Sequence, residues 1–249
     1  MLKLAFYGKG GIGKSTTVCN TALALAEKGL QVMQIGCDPK ADSTSSLLNG
    51  KRPTPVLELI RQYNDDFSWQ DMVTFGDKNI ACVEAGGPVP GMGCAGRGII
   101  NALEKLESKG AYSAVKPDVV LYDVLGDVVC GGFAMPMRNG YADKVFIVTS
   151  GENMSIYAAA NIAMALKNFQ NRNYAGLGGF ILNCRDVRDE VKKVETLAKD
   201  FESSITGILP RSETVTAAEE LHKAVLSAFP ESEMAACYRG LAENIIAGA

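Results

Sequence analysis

Residues 8–15 read Gly8-Lys9-Gly10-Gly11-Ile12-Gly13-Lys14-Ser15. In a Gly-x-x-x-x-Gly-Lys-Ser run, backbone N–H groups wrap the phosphates of a nucleotide. Lys14 adds a point charge and the Ser15 hydroxyl can ligate Mg²⁺. Lys9 places a second ammonium ahead of the usual one. Gly8, Gly10 and Gly13 also satisfy Gly-x-Gly-x-x-Gly, and Asp38 lies where a dinucleotide fold would put its ribose-binding acid. Lys14 and Ser15 decide between the two. A dinucleotide site packs its helix closely there and has no use for an ammonium, whereas a triphosphate–Mg²⁺ site needs both residues.

Two further segments carry acids suited to such a site. Cys37-Asp38-Pro39-Lys40-Ala41-Asp42-Ser43-Thr44 combines a proline-fixed turn with polar residues fit for a loop beside phosphate and metal. Asp123-Val124-Leu125-Gly126-Asp127 has the Asp-x-x-Gly form of a nucleotide switch. Asp123 can hold Mg²⁺ through water, and Gly126 can offer its N–H to a γ-phosphate, a contact that hydrolysis removes.

Cys94 lies within Gly91-Met92-Gly93-Cys94-Ala95-Gly96-Arg97-Gly98, and Cys130 precedes Gly131-Gly132. Glycine-rich loops leave N–H donors free and let backbone approach a bulky group, as an iron–sulfur cluster requires. Two cysteines do not close a four-thiolate site, but a symmetric dimer giving two from each copy does. Buried or free thiols are the alternative for isolated cysteines. Of the remaining five, Cys19, Cys82 and Cys184 read as packing residues on a helix or strands. Cys37 and Cys237 have no ligand-like setting.

Elements must hold these residues in place. Apolar strand-like runs recur at 2–7, 31–36, 80–83, 119–122, 144–149, 179–183 and 205–209. Helical spacing fills 15–27, 56–61, 99–108, 155–169, 189–201, 215–226 and 233–246. Such alternation predicts βαβ units and one doubly wound, mostly parallel α/β sheet with helices on both faces. The motifs fall just past strand ends, where these folds bind ligands. Residues 49–78 are the least regular and read as a surface excursion. With 249 residues the chain fits one domain over 1–249. Its 25 basic and 28 acidic residues, a net charge of −3, give no electrostatic argument for nucleic acid. No run approaches the ~20 apolar residues that span a bilayer. No signal-peptide pattern follows Met1, and the scattered cysteines do not suggest a disulfide framework, so the cytoplasm is the expected location.

Five segments together make the chain resemble the nitrogenase iron-protein family and its relatives, the ATP-dependent electron-donating reductases: 7–16, 36–44, Gly86-Gly87-Pro88, 93–98 and 122–136. The likeness covers nearly the whole chain. It implies a homodimer with one [4Fe–4S] cluster held by Cys94 and Cys130 of both copies, and MgATP on each. Lys9 would be the signature lysine reaching the partner's nucleotide. Asp127 would orient the attacking water, with Asp38, Lys40 and Asp42 in the first switch. Thr16 extends the phosphate loop, and Asn183, Pro210 and Arg211 match the base-recognition region. Arg97 matches an arginine that is ADP-ribosylated in some members and lies on the docking face. The likeness further implies a larger nitrogenase-like catalytic component as acceptor and a ferredoxin or flavodoxin as reductant. Residues 51–78 and a last helix followed at once by Ala249 depart from the usual pattern. The Cys94 loop also fits reductases acting on nickel tetrapyrroles in coenzyme F430 synthesis. Two other classes share the phosphate loop. Cargo-positioning ATPases commonly carry a basic tail, whereas residues 233–247 hold a single arginine and no lysine. Iron–sulfur assembly scaffolds carry a Cys-x-x-Cys pair, which is missing from this sequence.

Overall fold

The computed structural model describes residues 1–88, 95–126, 135–137, 140–169 and 174–248. The strands are β1 (Leu2–Tyr7), β2 (Val32–Cys37), β3 (Thr74–Phe75), β4 (Ala81–Glu84), β5 (Val119–Val124), β6 (Lys144–Thr149), β7 (Gly176–Asn183) and β8 (Ile205–Leu209). They form one sheet in the order β3-β4-β2-β5-β1-β6-β7-β8. Every pairing is parallel except that of β3 with β4. The helices are α1 (Lys14–Glu27), α2 (Val56–Tyr63), α3 (Trp69–Met72), α4 (Ala95–Ser108), α5 (Ala111–Val115), α6 (Asn153–Phe169), α7 (Glu190–Asp200), α8 (Glu213–Glu220), α9 (Val225–Ala228) and α10 (Glu233–Ala247).

The central strands are apolar on both sides because both faces are covered. Alternate residues of β1 serve different layers: Leu4 and Phe6 pack with α1 and α10, whereas Ala5 and Tyr7 pack with α4 and α6. β1 lies between β5 and β6, so the chain after Tyr7 emerges at the middle of the sheet's carboxyl edge. Asp123 stands in register with Phe6 on one side and Gly36 on the other. The phosphate loop and both acidic segments are thereby set side by side.

All seven expected strands are present; most ends agree to about a residue, but β7 begins three residues earlier and β5 runs two residues further than expected. Three expectations need correction. Residues 49–78 are no surface excursion: Pro53, Val56, Leu57, Leu59, Met72 and Val73 are buried, and α2, α3 and β3 arise there. The helix expected over 215–226 is two, α8 and α9. Between them His222 takes φ 56°, and the Lys223 N–H returns to the Ala218 carbonyl, which closes α8 as a left-handed C-terminal turn. Finally, α4 begins at Ala95, four residues before the expected start and directly after Cys94.

Candidate functional site

The loop after β1 bends into α1 through Gly13, which sits at φ 88° and ψ 22°. A β-carbon there would lie 2.5 Å from Asn183 Nδ2, so both the left-handed turn and the neighbour demand glycine. No side chain caps α1. Its first N–H groups, at Lys14, Ser15 and Thr16, therefore face outward as an anion site with the positive end of the helix behind them. Around Gly10 and Gly11 nothing lies within 4 Å of where a β-carbon would be, so the backbone is bare. Two side chains brace the loop from behind: Asn183 Nδ2 donates to the Ile12 carbonyl at 2.7 Å, and Arg185 Nη2 to the Gly11 carbonyl at 2.9 Å.

Beneath the loop lies a buried polar network. Lys14 Nζ donates to Asp123 Oδ1 at 2.6 Å, and Ser43 Oγ donates to Asp123 Oδ2 at 2.6 Å. Burial alone would raise the Asp123 carboxyl. The Lys14 ammonium and the hydroxyls of Ser15 and Ser43 outweigh it and hold the group below the usual carboxylate range. One ionised carboxylate thus joins the phosphate loop, the 38–44 loop and β5. Gly8 and Gly126 form an isolated antiparallel bridge just above it. The donor set suits a phosphate-bound Mg²⁺: a hard carboxylate, a hydroxyl at Ser15, and a lysine free to turn to phosphate.

A cleft of about 1180 Å³ opens over this network. Among its lining are Lys9, Lys14, Ser15, Thr16, Asp38, Lys40, Asp42, Asn183, Pro210 and Arg211. The structure thus gathers residues from four separate segments at one place. Asp38 turns its carboxylate onto the Lys40 N–H at 2.9 Å, which shapes the loop. Sequence reasoning missed Arg185, which sits one residue beyond Cys184, and the anchoring role of Ser43. Cys184, read as a packing residue, is half-buried, packs against the core and also lines the cleft. The signal that could have found Arg185 was its place two residues past the end of a parallel strand beside the phosphate loop.

Residues 2–249 match the sequence profile of the family described as 4Fe-4S iron sulfur cluster binding proteins, NifH/frxC family. The chain belongs to that family. It is 51% identical over 249 residues to a nitrogenase iron protein of Methanospirillum hungatei, covering 99% of this chain and 88% of that one. It is 48% identical over 246 residues to a nitrogenase iron protein of Methanococcus voltae, covering 98% and 88%. Among solved structures, the cell-division ATPase MinD of Pyrococcus furiosus superposes with a TM-score of 0.75 at 19% identity, covering 100% of this chain and 99% of that one. A ParA-family ATPase of Chlorobium tepidum gives 0.73 at 20%, covering 97% and 98%. These two likenesses concern the fold, a P-loop ATPase α/β sheet.

For a member of the NifH/frxC family the cysteine segments matter most, and Cys94, Cys130 and Asp127 lie outside the described residues. Their flanks are described. α4, which follows Cys94, touches the turn Met135–Met137, which follows Cys130. The described residues that follow the two cysteine segments therefore meet. Cys19, Cys37, Cys82, Cys184 and Cys237 are free thiols. Burial pushes the Cys19 thiol up to about 12, which suits packing rather than ligation. Among the described residues no group of three or more His, Cys, Asp or Glu is placed to hold a metal ion, and no helix is long and apolar enough to cross a membrane. Arg97 is exposed on the first turn of α4.

Proposed function

We propose that this chain is the ATP-dependent electron donor of a nitrogenase-type system. It works as a homodimer whose two copies share one [4Fe–4S] cluster through Cys94 and Cys130. The nearly half-identical relatives named nitrogenase iron proteins support a nitrogenase-type acceptor over a nickel-tetrapyrrole one. The observation that carries the mechanism is the Lys14–Asp123 ion pair, because it ties the phosphate loop to the strand that runs into the Cys130 segment.

Lys14 neutralises Asp123, and Ser43 holds the 38–44 loop against it. An incoming triphosphate draws the Lys14 ammonium toward the β- and γ-phosphates. Ser15 and Asp123 would then hold Mg²⁺, which would offset charge on the phosphates. The N–H groups of Gly10 to Thr16 bind the phosphate oxygens, and Lys9 reaches the nucleotide of the other copy. Asn183, Pro210 and Arg211 border the base. Asp127 orients the water that attacks the γ-phosphorus; the bond to the β–γ bridging oxygen breaks, giving ADP and phosphate. The cluster, when bound, supplies one electron at low potential to the catalytic component and regains it from a ferredoxin or flavodoxin. Since Asp123, Gly126 and Cys130 lie on one short stretch, nucleotide state and cluster position are coupled locally.

Anaerobic purification of the full chain tests this. The expected product is a brown dimer with about four irons per dimer, the content of one [4Fe–4S] cluster, whose spectrum responds to MgATP. Cys94→Ala and Cys130→Ala should each be colourless. Iron content unaffected by both substitutions ends the proposal.

A further inference from the structure

The mechanism just proposed uses the Cys130 segment and leaves unexplained a buried carboxylate on the far side of β2 from β5. Glu84, the last residue of β4, is fully buried. Its Oε1 accepts from both the N–H and the hydroxyl of Thr44, each at 2.7 Å. Its Oε2 has no hydrogen-bond partner. Space for the carboxyl exists only because residue 36, its register neighbour on β2, is glycine: a β-carbon there would lie 2.0 Å from Oε2. A buried acid bonded to a loop, with room cleared for it, is more than filler. Burial pushes this carboxyl up to about 8, against the Thr44 bonds, so it holds the loop as a largely neutral acid at neutral pH.

The residues after Glu84 continue along β2 and then meet the same loop at Pro39. The Ala85 N–H donates to the Gly36 carbonyl at 2.8 Å. A β-carbon on Gly87 would lie 2.5 Å from Pro39 Cβ, so tail and turn are already in close contact. Pro39 starts the acidic loop and Thr44 ends it. The tail then leads through Pro88 toward Cys94, and α4 on the far side of Cys94 returns to the same place: a β-carbon on Gly98 would lie 2.6 Å from Leu57 and 4.0 Å from Pro88. Arg61 Nη1 further fixes the Gly87 carbonyl at 2.9 Å.

We infer that the tail of β4 is a second mechanical link between nucleotide and cluster: the 38–44 loop is clamped to it at both ends, by Pro39 on Gly87 and by Thr44 on Glu84, so that movement of this loop reaches Cys94 as well as Cys130. Glu84 is a positioning residue in this scheme, acting through Thr44. The inference rests on the proposed function for its cluster end only. The loop is the two-state element, since Ser43 on one side of Thr44 is bonded to Asp123, whose partners change when Lys14 and Mg²⁺ engage phosphate.

Backbone hydrogen exchange on the full-length dimer, with and without MgADP, tests the clamp without reference to the cluster. In the parent, MgADP should alter exchange at residues 38–45 and also at Ala85 and Gly87. In Thr44→Val and Gly87→Ala the change at 85 and 87 should fall by about fivefold or more, the scale of a 1 kcal/mol coupling, while protection of the phosphate loop persists. Thr44→Ser, which keeps the hydroxyl, should restore it. The MgADP-induced change in the visible circular dichroism of the cluster should shrink in the same two variants and recover in Thr44→Ser. If residues 38–45 respond while 85–87 do not, or if both variants keep the parent's full spectral response, the link does not exist. A parent without any cluster would count against the proposed function instead, and the exchange data would still decide the clamp. Should Thr44→Val not fold, Gly87→Ala carries the same test from the other end of the loop.

Discussion

At the scale of residues, two buried acids a strand apart behave in opposite ways because only one has a cation. Asp123 has Lys14 at 2.6 Å; Glu84 has only Thr44. Breaking a buried pair by removing one partner costs about 3–5 kcal/mol. Lys14→Ala should therefore lose nucleotide binding and also melt at lower denaturant at neutral pH. Without the ammonium, burial would raise Asp123, so the folded variant would bind a proton that its unfolded chain lacks. Its stability deficit should accordingly narrow as pH falls toward 5, as urea titrations at about pH 7.5 and 5.5 would measure; a deficit independent of pH would place the loss elsewhere. For Glu84 the folded group keeps its proton up to about 8, whereas an unfolded glutamate loses it near ~4.3. The folded state thus holds more protons across that window, and this group's contribution to stability declines as pH rises through it, then levels. The nearby charges of Asp123 and Asp42 push in the same direction. Glu84→Gln does not titrate, so its stability relative to the parent should improve by about 1 kcal/mol per pH unit between roughly pH 5 and 8. Parallel curves for the two proteins would show that Glu84 is ionised throughout.

At the scale of elements, strands were legible because a central parallel strand is a continuous apolar run with a helix pattern behind it, and β1, β5 and β6 fit that description. What escaped were the elements that local pattern does not define. β3 and α3 are too short for periodicity, and Met72 of α3 and Val73 between the two are buried against neighbours that come from elsewhere in the chain. The break between α8 and α9 was missed for another reason. It has no glycine or proline: His222 occupies the left-handed C-terminal position that glycine normally fills. His222→Gly should therefore stabilise the protein by up to about 1 kcal/mol, offset in part by the lost packing of the ring on Gly50. The rise in urea midpoint at unchanged slope would measure it, and a fall would mean that the ring contact outweighs the backbone strain. Gly13→Ala is the converse case. It should destabilise by about 1–3 kcal/mol and dislodge Asn183 from the Ile12 carbonyl, so nucleotide affinity should fall together with stability.

At the scale of the whole molecule, the residues that line the cleft were readable as neighbours from the sequence because each motif sits at a strand's carboxyl end, and parallel topology gathers those ends. Glu84 was not, since its importance comes from a neighbour on β2 being glycine and a threonine 40 positions away being bonded to it, and no local pattern announces either. The same topology separates the two sites in their dependence on the rest of the fold. The cleft is built from the loops that follow β1, β2, β5, β7 and β8, over two buried clusters. Cys94 and Cys130 instead follow β4 and β5 in sequence, beyond the ends of both strands. Removing a thiol at either position should then abolish the cluster and leave the sheet's unfolding midpoint and MgADP affinity close to those of the parent, within about threefold, below 1 kcal/mol. Lys14→Ala should do the reverse, retaining iron and losing nucleotide. Iron assay, denaturant unfolding and calorimetric titration of the three variants give the comparison. If Cys94→Ala lost nucleotide along with iron, cleft and cysteine segments would be one cooperative unit, and the clamp of the 38–44 loop on β4 would have to be a structural brace rather than a transmission between two separable sites.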